Sequence, residues 1–153
     1  MITGTLTNFV DYFRTWADQD ADVRFFLFGG VEKGVEVARS HPDFDYPLFW
    51  LEEPVITTLD NGASDYSELY QFGITVLGEA PDDDYEKQLQ VQQLTLTILY
   101  RLQKQLRLDN RNGKILCELS GMKKEPISQL WLDNHRGWRL EIQCTFNLNA
   151  FLN

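Results

Sequence analysis

Apolar residues recur at helical spacing from Asp82 to Leu108. Leu89, Leu99, Leu102 and Leu106 share a side with Tyr85, while Val91, Leu94, Leu96 and Ile98 widen the stripe. A stripe this broad fits a sheet or another large partner rather than a narrow coiled-coil seam. The charge order agrees, because Asp82, Asp83 and Asp84 open the segment and Arg101, Lys104 and Arg107 close it, as the helix dipole favours. Near the start of the chain, Leu6, Phe9, Val10, Phe13, Trp16 and Ala17 predict a first helix over roughly Thr5–Gln19, with Thr5 or Thr7 as its cap.

Elsewhere the period is two. Val23–Phe28 reads as a strand ended by Gly29-Gly30, and Tyr46–Leu51 as a nearly all-apolar strand with Pro47 near its start. After Glu52-Glu53-Pro54, Val55–Thr58 reads as a further short strand or as an extension of the same strand after a kink. Asp60–Asp65 is a turn, and over Ser67–Leu77 the residues Tyr70, Phe72, Ile74 and Val76 point one way while Gln71, Gly73 and Thr75 point the other. Beyond the long helix, Asp109–Gly113 marks a turn, and Lys114–Ser120 is a strand with Ile115, Cys117 and Leu119 inward. Pro126–Trp131 is a short edge strand, and Asp133–Gly137 turns the chain into Trp138–Leu148, where Trp138, Leu140, Ile142, Cys144, Phe146 and Leu148 face inward. The stretch Val31–Asp45 fits a short helix or an irregular strand. The order predicts an α+β fold, a mostly antiparallel sheet with the N-terminal helix and the long central helix packed on one face.

A chain of 153 residues without a linker or internal repeat is expected to form a single domain over 1–153. No apolar run is long enough to cross a membrane, and Met1-Ile2-Thr3-Gly4 lacks the basic and apolar segments of a signal peptide. Two cysteines are too few for a disulfide scaffold, and Cys117 and Cys144, each at an apolar position of a strand, read as small buried thiols. The net charge of -9 is uneven: residues 1–100 hold 5 Lys/Arg and 18 Asp/Glu (-13), and residues 101–153 hold 9 and 5 (+4). The acidic balance makes general nucleic-acid binding unfavourable. The split would give copies of the chain one acidic and one basic side, suited to head-to-tail contact, unless folding intermixes the charges.

No arrangement of residues calls for a metal, a cofactor or catalysis. His41 and His135 have no second ligand at a metal spacing and read as surface histidines. Asp82, Asp83 and Asp84 diverge from a helix start instead of converging on a cation. Gly29-Gly30 with Lys33 and Gly34 lacks the spacing and the Ser/Thr of a phosphate loop. No serine lies in a GxSxG elbow. Glu52 and Glu53 beside Trp50 face opposite ways on a strand, so a glycosidase-like pair would need Asp60 or Glu68. Binding surfaces are better supported. Phe25 with Phe26, and Phe49 with Trp50, put bulky residues on both faces of the sheet, so the face away from the helices must be covered by the chain itself or by a partner.

The N-terminal helix, Tyr46–Pro54, Tyr70–Leu77 with the acidic loop Glu79–Asp84, the long helix through Leu99-Tyr100-Arg101-Leu102, and the late strand Gly137-Trp138-Arg139-Leu140 form a series spanning nearly the whole chain. This order resembles the tail-terminator or tail-completion proteins of tailed bacteriophages. The resemblance implies a non-enzymatic virion protein at the tail–neck junction, made in the host cytoplasm. It would cap the tail tube as a ring, commonly of six copies, and dock to neck or head-completion proteins. DNA would pass through the ring without specific binding, and the acidic bias of residues 1–100 would suit the lumen. The family has no catalytic residues to carry over. The expected ring contacts are the loop from Asp60 to Asp65, the acidic loop with Glu79, Asp82, Asp83 and Asp84, and the basic turn with Arg107, Arg111 and Lys114. Reversing Arg107 and Arg111 should weaken such a ring, less so at high salt. The other readings are a head–tail connector or baseplate component, or a small Mg-dependent hydrolase or nuclease.

Overall fold

A computed structural model of the protein describes residues 4–30, 40–128 and 134–149. Residues 31–39, most of the ambiguous stretch Val31–Asp45 with Lys33 and Gly34, lie outside the described residues, as does Trp131 at the end of the expected edge strand. Helix α1 covers Leu6–Gln19, and its cap is Thr5, whose Oγ1 accepts the Asn8 backbone N–H at 3.1 Å. Then come β1 (Phe25–Phe28), β2 (Leu48–Leu51), β3 (Val55–Asp60), β4 (Tyr66–Glu79), α2 (Tyr85–Arg111), β5 (Leu116–Cys117), β6 (Lys124–Ser128) and β7 (His135–Asn147).

The strands form a seven-stranded sheet in the order β1-β2-β4-β7-β5, with β3 also on β4 and β6 also on β7. Its spine is the long antiparallel pair of β4 and β7, in unbroken register from Ser67 opposite Asn147 to Glu79 opposite His135. The β1–β2 pair is parallel and the other pairs are antiparallel. β2 and β3 lie end to end along one edge of β4. Leu51 faces Ile74 and Val55 faces Gln71, so Glu52–Pro54 is a bulge, a place where a proline costs no ladder bond.

Helices α1 and α2 pack on one face of this sheet. Phe9 and Phe13 of α1 and Ile98, Leu102 and Leu106 of α2 join Phe49, Phe72, Ile74, Val76, Leu140, Ile142 and Phe146 in the main core. On the far face Leu48, Trp50 and Leu77 form a smaller cluster with Phe25, Leu27, Phe44, Tyr46 and Ile127. Two glycines allow the close approaches. A Cβ at Gly78 would lie 2.6 Å from Val91 Cγ1, and one at Gly137 would run into the Val76 carbonyl.

Several expectations are corrected. The buried stripe of α2 does hold Leu99, Leu102 and Leu106, but toward the N-terminus it runs through Thr95, Val91 and Gln88, leaving Tyr85 and Leu89 exposed. Gly78 draws Val91 onto the sheet and so fixes that rotation. The polar residues there are satisfied, Thr95 Oγ1 donating to the Val91 carbonyl at 2.8 Å and Gln88 Nε2 to that of Pro81 at 2.8 Å. His135 begins β7 and is buried, where a turn and a surface histidine were expected. Beyond β5, Glu118 still donates its N–H to Gln143 at 2.9 Å, but the chain then turns away at Gly121 (φ 76) and Leu119 is exposed. The cysteines are not free thiols. Register places Cys117 of β5 opposite Cys144 of β7, Cα–Cα 4.1 Å, and the two are joined as a disulfide.

Candidate functional site

The far face of the sheet divides in two. At the β1–β2 end it is apolar and closed by the cluster around Trp50. At the end carrying the β3–β4 turn it is open. There Thr57, Leu69, Thr145 and Leu116 line up across β3, β4, β7 and β5, and Val55, Gln71 and Gln143 form the adjacent row. Every residue of β3 is exposed, Val55 at 67%. β3 is an edge strand of β-branched residues with no internal proline or lysine to discourage pairing, whereas the opposite edge, β6, carries Lys124 and Pro126.

Between the two halves lies a charged cluster. Arg139 of β7 reaches across β4, its Nε donating to Glu52 Oε2 at 2.9 Å and its Nη1 to Glu141 Oε1 at 2.8 Å. The strand between them carries Gly73, and a Cβ there would fall on the Glu52 carboxylate and within 2.6 Å of Arg139 Nη2. Burial works against the Arg139 charge, but Glu52 and Glu141 outweigh it and its pKa is raised. The cluster borders a cleft of about 350 Å³ whose other walls include Gln71, Glu118, Met122 and Gln143. Glu52 therefore serves Arg139, and Glu68 accepts from Thr58 Oγ1 at 3.2 Å. Among the described residues no group of three or more His, Cys, Asp or Glu converges to hold a metal. Gly73 in the middle of an alternating strand was the sequence signal for this crossing, since an interior strand glycine marks a close approach.

Folding mixes the charges in part. Arg101, Arg136 and Arg139, from the basic last third, pair with Asp20 and Asp22, with Asp82, and with Glu52 respectively. Arg107 and Arg111, at the end of α2, form no ion pair among the described residues. Lys114, just beyond, places its Nζ 5.6 Å from the Tyr12 ring centroid. Asp60 and Asp65 sit at the β3–β4 turn, where Asp60 Oδ1 accepts the Gly62 N–H at 2.7 Å and both aspartates stay exposed. This turn and Lys114 lie at the same end of the sheet, on opposite edges, because β3, β4, β7 and β5 run side by side there.

Glu79, Asp82, Asp83 and Asp84 lie at the other end of α2, about 40 Å from Arg111 at 1.5 Å per residue. Asp84 caps the helix through the Lys87 N–H at 3.0 Å. The bulky residues split as their alternation requires. Phe26 and Phe49 stack on the helix side, and Phe25 and Trp50 face the other way. Phe49 and Trp50 are buried by the chain itself, and Phe25 and Phe26 are half-buried. Comparison of the chain with known protein families and with characterised proteins finds no match.

Proposed function

We propose that the protein is a non-enzymatic assembly subunit of the tail-terminator kind, which closes into a ring on a tail tube and joins it to neck or head-completion proteins. One observation carries the reading. Acidic Asp60 and Asp65 lie on one edge of one end of the sheet and basic Lys114, three residues after Arg111 ends α2, on the opposite edge, and the edge strand on the acidic side is uncapped. Copies placed side by side in one orientation bring the acidic edge of each against the basic edge of the next. Such a contact is heterologous, and a repeated heterologous contact closes into a ring when its rotation divides a full turn.

The test is light scattering over a range of protein and salt concentrations, alone and with tail tubes. The expected result is a ring mass, six-fold by the family resemblance, that falls when Asp60→Lys is combined with Asp65→Lys. Mixing that variant with Arg111→Glu/Lys114→Glu should restore mixed contacts. A protein that stays monomeric with and without tube ends, or a ring indifferent to both variants, refutes the reading.

A further inference from the structure

The rotation of α2 onto Val91 leaves a second apolar ridge facing outward. Tyr85 is 80% exposed, Leu89 67% and Tyr100 48%, and Leu96 between them is half-buried. At about 100° per residue these four fall within roughly 60° of one another, about a third of a turn from the buried stripe. The ridge continues through Gln92, Gln103 and Arg107, and its positions repeat every 11 residues: Tyr85, Leu96 and Arg107; Leu89 and Tyr100; Gln92 and Gln103. An eleven-residue repeat matches a nearly straight helix, whereas a heptad repeat would ask for supercoiling. That suits α2, which is fixed along the sheet by Leu99, Leu102 and Leu106.

The two ends of the ridge carry opposite charge. Asp83 and Glu86 lie at the start, Lys104, Arg107 and Arg111 at the end, and Glu86, Arg107 and Arg111 have no ion-pair partner among the described residues. A partner that fits must be basic where this helix is acidic and acidic where it is basic, with apolar residues between. The antiparallel copy of α2 meets all three conditions at once.

We propose that this ridge is a two-fold docking surface for α2 of a second copy of the chain. With the axis at Leu96, that residue meets its own equivalent, Tyr100 meets Gln92, Leu89 meets Gln103, and Tyr85 meets Arg107 of the second copy. Glu86 comes beside the same arginine. Both ends are then neutralised together, and a guanidinium lies against an aromatic ring at each end. A parallel arrangement would set like charges together at both ends. The contact uses neither sheet edge and does not rest on the ring reading.

Sedimentation equilibrium of the full chain tests it, with circular dichroism confirming that each variant is folded. With the sheet-edge contact removed by Asp60→Lys/Asp65→Lys, the chain should dimerise, and adding Leu89→Asp should abolish the dimer. Arg107→Glu and Glu86→Lys should each weaken it about ten-fold, with the effect shrinking in high salt. Mixed together, those two charge variants should pair with each other, because each supplies the sign that the other lacks. Leu96→Cys should cross-link to itself under mild oxidation, since it lies on the axis. A wild type that is monomeric at millimolar concentration overturns the proposal. So does a dimer that survives Leu89→Asp, which would place another surface or another partner at work, or a mixture that fails to associate. The Asp60→Lys/Asp65→Lys variant separates this contact from the ring, because it should leave the α2 dimer intact.

Discussion

The tie between α1 and α2 offers the sharpest test of how this fold is held. Asp20, just past the end of α1, accepts Arg101 Nε at 2.8 Å and Nη2 at 2.9 Å, and Nη2 also reaches Asp22 at 2.8 Å. Asp20 Oδ1 accepts the backbone N–H of Asp22 at 3.0 Å and of Val23 at 3.2 Å as well. The Asp20 side chain is 4% exposed and that of Arg101 37%. The pair therefore ranks above surface ion pairs, worth about 0–1 kcal/mol, and below a fully buried pair, whose breaking costs about 3–5 kcal/mol. Asp20→Ala should cost about 2–3 kcal/mol, because it also orphans two backbone donors. With a urea m-value of about 2 kcal/mol/M, the midpoint should fall by about 1 M.

The same tie predicts a pH dependence. Burial pushes the Asp20 carboxyl up, but Arg101 and the two N–H groups more than offset it, and its pKa is lowered. Folded Asp20 thus binds its proton less readily than unfolded Asp20. Its stabilisation is complete above the ordinary aspartate value of about 3.9 and is lost as pH falls through the lowered one. Urea titrations of wild type, Asp20→Ala, Arg101→Met and the double variant at neutral and acid pH supply the cycle. A cost below about 0.5 kcal/mol, or a cost equal at pH 7 and pH 3, would refute the argument.

Three further outcomes follow from other contacts. Gly73→Ala should destabilise by about 2 kcal/mol by displacing Glu52 from Arg139, and Glu52→Ala in the same chain should recover part of that loss in chemical denaturation. Tyr12→Phe removes the 2.6 Å hydrogen bond to buried Asp109, which keeps Gln105 Nε2 at 2.9 Å, and should cost about 1–2 kcal/mol. Burial and Asp109 both push the Tyr12 phenol up, so wild-type stability should decline with pH above the ordinary tyrosine value of about 10, and Tyr12→Phe should flatten that decline. Reducing the Cys117–Cys144 bond opens a loop of 27 residues and should lower stability by about 3.5 kcal/mol on the loop-entropy relation, read as a fall in melting temperature.

What was legible in the sequence was local and periodic. Thr5 and the apolar spacing after it located α1, and the alternation around Phe72 and Ile142 located the two spine strands, because one buried face imposes a period of two. Residues that answer to distant neighbours were not legible. Thr95 and Gln88 are buried on α2 with their side chains bonded to nearby carbonyls, so a count of apolar residues put the N-terminal part of the stripe one face away. Cys117 and Cys144 pair only through the register of strands far apart in sequence. The Glu52–Arg139 crossing depends on a bulge in one strand, a glycine in the next and an arginine in a third. The candidate contact residues showed as exposed charge in the sequence, but the edge each one occupies came from the strand order.

That strand order also explains why an acidic first two thirds and a basic last third need not neutralise each other. Arg101, Arg136 and Arg139 project from the middle of α2 and the first half of β7, within reach of acidic residues on the segment after α1, on the loop before α2 and in the bulge after β2. Arg107, Arg111 and Lys114 follow at the far end of α2, where the neighbouring strand edge is β5 and the acidic turn lies across β7 and β4. Three strand spacings of about 4.8 Å put that turn about 14 Å away, beyond the screening length of roughly 8 Å in physiological salt. Within one copy these charges hardly interact. In the ring we propose, the same groups of neighbouring copies would approach to contact distance, where their attraction is no longer screened.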